Sequence, residues 1–187
     1  VALGIPLLIL VTSPRIALAV TLPILLIIDI WVVFFSNNKI DFKLLTIMLI
    51  FGLLGHGFGW YFFDYISNAA LVTFIGSMSV LTAFLYFKKR FLPVKIDLIA
   101  TPPLQSRPIA LWSWGSFWCT LSGIASFISV SGGIPLQIFL LSCKVPRTVF
   151  IGSASAFFFI LNLTKVPLYW DLDILSKSSL IISLLLL

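Results

Sequence analysis

The sequence predicts an all-α integral membrane protein, a polytopic bundle of helices, on the strength of its composition and the placement of its charges. Hydrophobic residues make up 60% of the 187 residues, and charged residues only 10%, against roughly 25% in a typical soluble domain. The mean hydropathy is +1.17. So few charged side chains cannot cover the surface of a soluble domain of this size, so we expect the apolar runs to lie in lipid.

The same composition argues against several other classes of protein. Two cysteines are too few for a disulfide scaffold. A single histidine, the lack of glutamate and the lack of a Cys-x-x-Cys motif disfavour a metal site, and we expect no cofactor. The net charge is +6, but the basic residues lie in short segments between apolar runs. The expected partner is therefore the lipid bilayer and not nucleic acid.

Apolar runs of 17 to 22 residues define the membrane spans. A helix of this length crosses about 30 Å of hydrocarbon. A shorter run, 134–142, is predicted to be a half-helix. Both ends of the chain fall inside apolar runs, so we expect an internal part of a longer protein. The predicted spans are 16–35, 44–63, 69–87, 109–130 and 148–164, with an incomplete span within 175–187.

Basic residues predict the orientation of the spans. The segment 88–108 carries five of them, whereas the turn 64–68 carries none. Because cytoplasmic loops are enriched in Lys and Arg, we expect 88–108 to be a cytoplasmic loop and 64–68 to face outside. The expected location is the cell inner (plasma) membrane, with several crossings.

A set of features occurs twice in the same order, which predicts two related repeats. Each set has a Gly-Ile-Pro motif, a Pro-Arg pair and then a span with a polar residue late in its run. The repeats are 1–87, truncated at its start, and 109–187. The matching features are Gly4-Ile5-Pro6, Pro14-Arg15 and Asp29 in the first, and Gly133-Ile134-Pro135, Pro146-Arg147 and Asn162 in the second.

Two arrangements of these repeats are open. If 109–142 crosses once as a broken helix, Arg15 and Arg147 face the same side. If 134–142 turns back as a re-entrant arm, they face opposite sides and the repeats are inverted. We favour the inverted arrangement, because it is common among transporters with broken helices.

The segment from Ser129 to Pro135 interrupts its apolar surroundings with polar and glycine residues. Each glycine weakens a helix by about 1 kcal/mol relative to alanine. Pro135 suits the first turn of a new helix. We expect the helix to stop near Ser131, unwind through Gly132-Gly133 and restart at Pro135. The free amides and positive dipole of the new helix would bind an anion, although paired glycines also serve close helix packing.

Further candidates come from polar residues inside the spans. Asp29 is a costly carboxylate at that depth, and either carries a coupling proton or pairs with a cation. Asn162 and Lys165 lie one turn apart on one face, although a lysine near a span end often only reaches the interface. The predicted substrate-binding residues are Ser129, Ser131, Gly132, Gly133, Pro135, Ser153, Asn162 and Lys165, and the predicted coupling or ion-pairing residues are Asp29 and Arg147.

The second repeat resembles that of a known family. The residues that carry the resemblance are Ser131-Gly132-Gly133-Ile134-Pro135, Pro146-Arg147, Gly152-Ser153-Ala154, Asn162, Lys165 and Tyr169. They are similar to the TauE/SafE sulfite exporter family, also named the 4-toluene sulfonate uptake permease family. The first repeat resembles its counterpart through Gly4 to Asp29. His56 departs from the pattern, since small and apolar residues are expected there.

The resemblance implies a multi-pass inner-membrane permease or exporter of sulfite, sulfonates or related organosulfur anions. The partners would be a small anionic substrate and a coupling ion, either a proton or sodium, and no covalent chemistry is expected. A membrane-embedded enzyme for a lipid-linked substrate is an alternative, but one histidine without glutamate is a poor acid/base set. A non-transporting assembly protein is another, which leaves the repeated Gly-Pro breaks unexplained.

The cytoplasmic assignment of 88–108 is testable by cysteine labelling. In a variant with Cys119 and Cys143 replaced by alanine, Ser106→Cys should not react with a membrane-impermeant maleimide in intact cells, and should react after permeabilisation. Ser67→Cys, in the turn expected outside, is the matched control and should react in intact cells. Labelling of Ser106→Cys in intact cells would contradict the orientation.

Overall fold

The computed structural model describes residues 4–9, 11–35, 39–91 and 104–174. Within these ranges the chain forms α-helices and no strand, which confirms the predicted all-α class. The predicted incomplete span 175–187 and most of the predicted loop, 92–103, lie outside the described residues. The helices are α1 (Gly4–Ile9), α2 (Pro14–Phe35), α3 (Phe42–Phe63), α4 (Asn68–Phe91), α5 (Pro108–Ser129), α6 (Gly133–Ser142) and α7 (Arg147–Asp171), with a short 3-10 helix at Leu104–Ser106.

Three helices of the described part, α2, α3 and α7, are long and apolar enough to cross a membrane. They carry large exposed side chains such as Phe34, Phe42 and Trp170, as expected where a helix faces lipid. Helices α4 and α5 occupy the predicted spans 69–87 and 109–130, and their crossing stays a prediction. Helix α4 continues to Phe91, so the bases at 88–90 belong to its last turn and not to a loop.

Helices α3 and α5 pack with their backbones in close contact through glycines. A side chain at Gly55 would meet the carbonyl oxygen of Thr120, and one at Gly123 would meet the carbonyl oxygen of Gly52. Small residues allow this approach, which brings more backbone atoms into van der Waals contact. The two helices run in the same direction, because their contacts advance together along both chains, from Ile47 on Gly115 to Gly59 on Phe127.

Helix α7 runs in the direction of α3. The Ser153 hydroxyl accepts a hydrogen bond from the amide of Asp41, just before α3, at 3.1 Å. At the other end, the indole of Trp60 donates to the carboxylate of Asp171 at 3.1 Å. Arg147, six residues before Ser153, therefore lies at the end of the bundle where α3 begins.

Helix α2 runs in the opposite direction to α7. The Arg15 guanidinium, near the start of α2, lies 5.4 Å from the ring centroid of Phe63, the last residue of α3. Further along α2, Phe34 packs edge-on against Phe159 of α7, with ring centroids 6.2 Å apart. Arg15 and Arg147 are therefore at opposite ends of the bundle, as the inverted arrangement requires. The repeat relation itself stays a prediction.

Helix α6 turns back along α5. Gly132, which precedes α6, lies against Ser122 and Ser126, whereas Phe139, seven residues later, lies against Gly115. The contacts move backwards along α5 as the chain moves forwards, so α6 is antiparallel to α5. This direction agrees with the arrangement in which 134–142 turns back, and its re-entrant position in a membrane stays a prediction.

Two apolar clusters fill the bundle. The first surrounds Phe139 and Phe157 and joins the first halves of α3, α5 and α7 to α6. The second surrounds Phe63, Phe127 and Tyr169, and joins the starts of α2 and α4 to the ends of α3, α5 and α7. Buried polar side chains lie between the two clusters, and they form the site described below.

The close packing of α3 on α5 predicts that Gly55→Ala is destabilising. The new methyl group would strike the Thr120 carbonyl, and backbone atoms cannot move aside as a flexible side chain can. We expect the free energy of unfolding to fall by about 1–3 kcal/mol. Gly57→Ala is the matched control, since its Cβ meets no atom within 4 Å. Thermal unfolding in detergent that is equal for the two variants would contradict this packing.

Candidate functional site

The break between α5 and α6 lies slightly earlier than predicted. Helix α5 ends at Ser129, and Val130 adopts a left-handed conformation with φ 56°. Helix α6 begins at Gly133 and not at Pro135. Pro135 is the third residue of α6, and its missing N–H costs nothing there, because first-turn amides have no partner within the helix.

The two glycines at the break have different roles. A Cβ at Gly132 would lie 2.5 Å from the Ser122 carbonyl oxygen, so only glycine allows α6 to approach α5 there. A Cβ at Gly133 would meet nothing within 4 Å. Neither glycine has a positive φ, and the left-handed conformation falls on Val130 instead. For an L-residue this conformation costs about 1–2 kcal/mol, so the neighbours of Val130 must impose it.

Side chains satisfy backbone carbonyls around the break. This matters because lipid offers no hydrogen bonds to unwound backbone. Ser129 and Ser131, both predicted to bind substrate, donate their hydroxyl protons to protein carbonyls. The bonds run from Ser122 Oγ to Gly132 O (2.7 Å), Ser129 Oγ to Ala125 O (2.9 Å), Ser131 Oγ to Ser129 O (3.2 Å) and Tyr169 OH to Phe127 O (2.7 Å).

A cavity of about 200 Å³ lies beside the break, between α2, α5, α6 and α7. Most of its wall is apolar, with a few polar groups that converge on it, as in many ligand sites. Its polar side chains are Asp29, Ser126 and Asn162. The rest of the wall is formed by Leu25, Val130, Gly133 and Phe158.

A chain of hydrogen bonds joins the polar groups of the cavity to a buried lysine. Asn162 Nδ2 donates to Asp29 Oδ2 at 2.7 Å. Lys165 Nζ donates to Asn162 Oδ1 at 2.9 Å and to Ser126 Oγ at 3.0 Å. These partners fix the orientation of the Asn162 amide, because a carboxylate accepts only from the NH₂ group and an ammonium donates only to the oxygen. Asn162 thus bridges one negative and one positive group.

Lys165 is fully buried and lies behind the cavity wall, not on it. Its charge reaches the cavity through Ser126 and Asn162, which are both on the wall. Because Ser126 Oγ accepts from Lys165, the Ser126 hydroxyl proton is left to point to another acceptor. Ser126 was not among the site residues predicted from the sequence. The signal was present, however, since Ser122, Ser126 and Ser129 recur at helical spacing on one face of α5.

Several predicted site residues lie elsewhere. Ser153 accepts the amide of Asp41 near the start of α3. Arg147 is exposed at the first position of α7. Gly132 and Pro135 are buried in the contact between α5 and α6. Of the residues predicted from sequence, the structure brings together Asp29, Gly133, Asn162 and Lys165.

His56 belongs to the interior and not to the cavity wall. It is 1% exposed, its ring packs edge-on to Phe127, and its Nδ1 lies 3.2 Å from Thr164 Oγ1. Since the Thr164 hydroxyl donates to the carbonyl of Leu161, it accepts from His56 Nδ1–H. The Nε2 atom is then the unprotonated nitrogen, and it has no hydrogen-bond partner among the described residues.

A bundle of long apolar helices, with a short helix that folds back beside a small polar cavity, is typical of membrane transporters. A family model described as Sulfite exporter TauE/SafE matches residues 2–187. The chain belongs to this family, and it is a membrane-embedded transporter of the anion-exporter type. No curated protein and no solved structure matched the chain.

The bridging role of Asn162 predicts that Asn162→Leu is strongly destabilising. It would leave the Asp29 carboxylate and the Lys165 ammonium each short of a partner, and a hydrogen bond to a charged group contributes about 1.5–3 kcal/mol. The triple variant Asp29→Leu, Asn162→Leu, Lys165→Met removes both charges with the bridge, and should recover much of this loss. Denaturation in detergent measures the free energy of unfolding of the single and the triple variant. An Asn162→Leu variant as stable as the parent would show that the chain of bonds is not formed.

Proposed function

We propose that this protein moves small organosulfur anions, such as sulfite or sulfonates, across the cell inner membrane through the cavity beside the helix break. The observation that carries the proposal is the buried ammonium of Lys165. It donates hydrogen bonds to Ser126 and Asn162 on the cavity wall and so polarises these two side chains. A buried charge in a membrane protein is costly and usually functional. A cation placed just behind a small cavity favours an anionic ligand.

The groups on the wall match the needs of a sulfonate-like anion. The Ser126 hydroxyl and the second N–H of Asn162 Nδ2 are donors with charged neighbours, and bonds of this kind contribute about 1.5–3 kcal/mol each. The first turn of α6 adds amides without helical partners and the positive end of the helix dipole. Gly133 carries no side chain, so an anion can approach its backbone closely.

The arrangement of the helices supports alternating access between inverted halves. Helices α2 and α7 are antiparallel, and they carry the matching Pro-Arg motifs at opposite ends of the bundle. Asp29 and Asn162, which match each other in the two proposed repeats, are themselves hydrogen-bonded at 2.7 Å. In two halves related by a two-fold axis, equivalent residues that lie near the axis meet in this way. The cavity would then lie at the interface of the halves, where transporters with inverted repeats bind substrate.

The test is uptake into proteoliposomes of labelled sulfite, sulfoacetate and methanesulfonate, with zwitterionic taurine as a comparison. We expect saturable uptake of the anions above that of protein-free liposomes. Gly133→Leu should abolish it, because the space next to this position is the cavity itself. Gly76→Leu is the control, since Gly76 is exposed on α4 and its Cβ also meets nothing within 4 Å.

Serine variants refine the test. Ser126→Ala removes one donor and the relay from Lys165, and should raise the half-saturating anion concentration by about 10- to 100-fold, the equivalent of the bond energy above. Ser131→Ala should have a smaller effect. Ser116→Ala, the same change on the same helix away from the cavity, is the control. Normal uptake by Gly133→Leu, in a variant that inserts and folds, would refute the site.

A further inference from the structure

We propose that each anion crosses together with one proton, which is taken up by Asp29, so that the loaded site has the same net charge as the empty one. This inference rests on the proposed function and adds its coupling. It follows from the charges of the side chains around the cavity.

Among the residues that the structure describes, one negative group lies on the cavity wall and one positive group lies behind it. Helix α2 contributes Asp29, and α7 contributes Lys165 behind the wall. The sequences of α5 and α6 contain no charged residue. Helix α3 presents His56, which is not on the cavity wall and bonds to the hydroxyl of Thr164. The empty site is therefore neutral overall, with Asn162 between the two charges.

A monovalent anion would upset this balance. It would bring a second negative charge into a space of about 200 Å³ that already contains the Asp29 carboxylate. Two negative groups that share one small cavity favour protonation of one of them. The side chains of Leu25, Val130 and Phe158, which also line the cavity, offer neither group any hydrogen bond.

Asp29 is the group that can restore neutrality. In the step, one proton from solution adds to a carboxylate oxygen of Asp29 as the anion enters, and no other bond forms or breaks. The resulting carboxylic acid has an O–H donor that the carboxylate lacked, so it changes from repelling the anion to binding it. Loss of a proton from Lys165 would make the charge imbalance larger. His56 is off the cavity wall, and a proton on it would be repelled by the positive Lys165.

The experiment measures accumulation ratios in proteoliposomes with labelled methanesulfonate, a monoanion that does not titrate near neutral pH. For the wild-type protein at zero membrane potential, one pH unit should concentrate the anion about tenfold on the alkaline side, because one proton is bound per anion. A valinomycin–potassium potential of about 59 mV at equal pH should leave the distribution unchanged. Equilibrium ratios do not depend on the rate, so slow variants can be compared.

In Asp29→Asn, the accumulation ratio should respond to the membrane potential and no longer to the pH gradient. This variant keeps the size of the side chain but cannot take up the proton. The anion then carries its charge across alone, so the pH gradient has no effect and about 59 mV changes the ratio tenfold. The double variant Asp29→Asn, Asn162→Asp returns a carboxylate to the same cavity from the opposite helix, and should restore the tenfold response to pH.

The outcomes separate the two proposals. Wild-type accumulation that follows voltage and not pH, or that requires sodium, would overturn the proton coupling while leaving anion transport intact. Asp29→Asn with an unchanged response to pH would also overturn it. Wild-type protein that moves neither methanesulfonate nor sulfite would overturn the proposed function, and the coupling with it.

Discussion

A buried ammonium group cannot remain in a membrane bundle unless its neighbours compensate its charge and accept its protons. Lys165 is fully buried, and much of the central architecture follows from this requirement. It brings Ser126 of α5 and Asn162 of α7 within hydrogen-bond distance, and through Asn162 it is linked to the half-buried Asp29 of α2. Three helices that are distant in sequence are thereby joined at one point. The apolar clusters on either side lower the local dielectric constant and strengthen these polar interactions.

The close contact of α3 with α5 provides the support for this centre. Because glycines let the two backbones touch, α5 is fixed along much of its length, and the position of Ser126 is fixed with it. The same helix then supplies the surface against which α6 folds back. The hydrogen bonds of Lys165 and the position of α6 therefore both depend on α5, whose residues are almost all small, apolar or hydroxylic.

Much of the fold could be predicted from the sequence, because composition and run length report directly on helices in lipid. The polar residues inside spans, Asp29, Asn162 and Lys165, were also evident, since charge and amide groups at such depth need a reason. Ser126 was not evident, because serine in a membrane helix usually serves packing. Its role depends on the register of α5 against α7, which no pattern in one helix contains. For the same reason Ser153 could not be assigned to the start of α3.

The conformation of Val130 has a mechanical consequence for the arm that follows it. A β-branched residue disfavours the left-handed region. The energy of the local backbone therefore falls if Val130 leaves that region. The conformation of Val130 therefore works against the sharp reversal between α5 and α6. Contacts made by neighbouring residues hold the reversal in place, among them the hydrogen bond from the Ser122 hydroxyl to the Gly132 carbonyl. If those contacts were lost, Val130 could return to a favoured backbone conformation and α6 would change its direction. The part of the cavity wall that Val130 and Gly133 form would move with it.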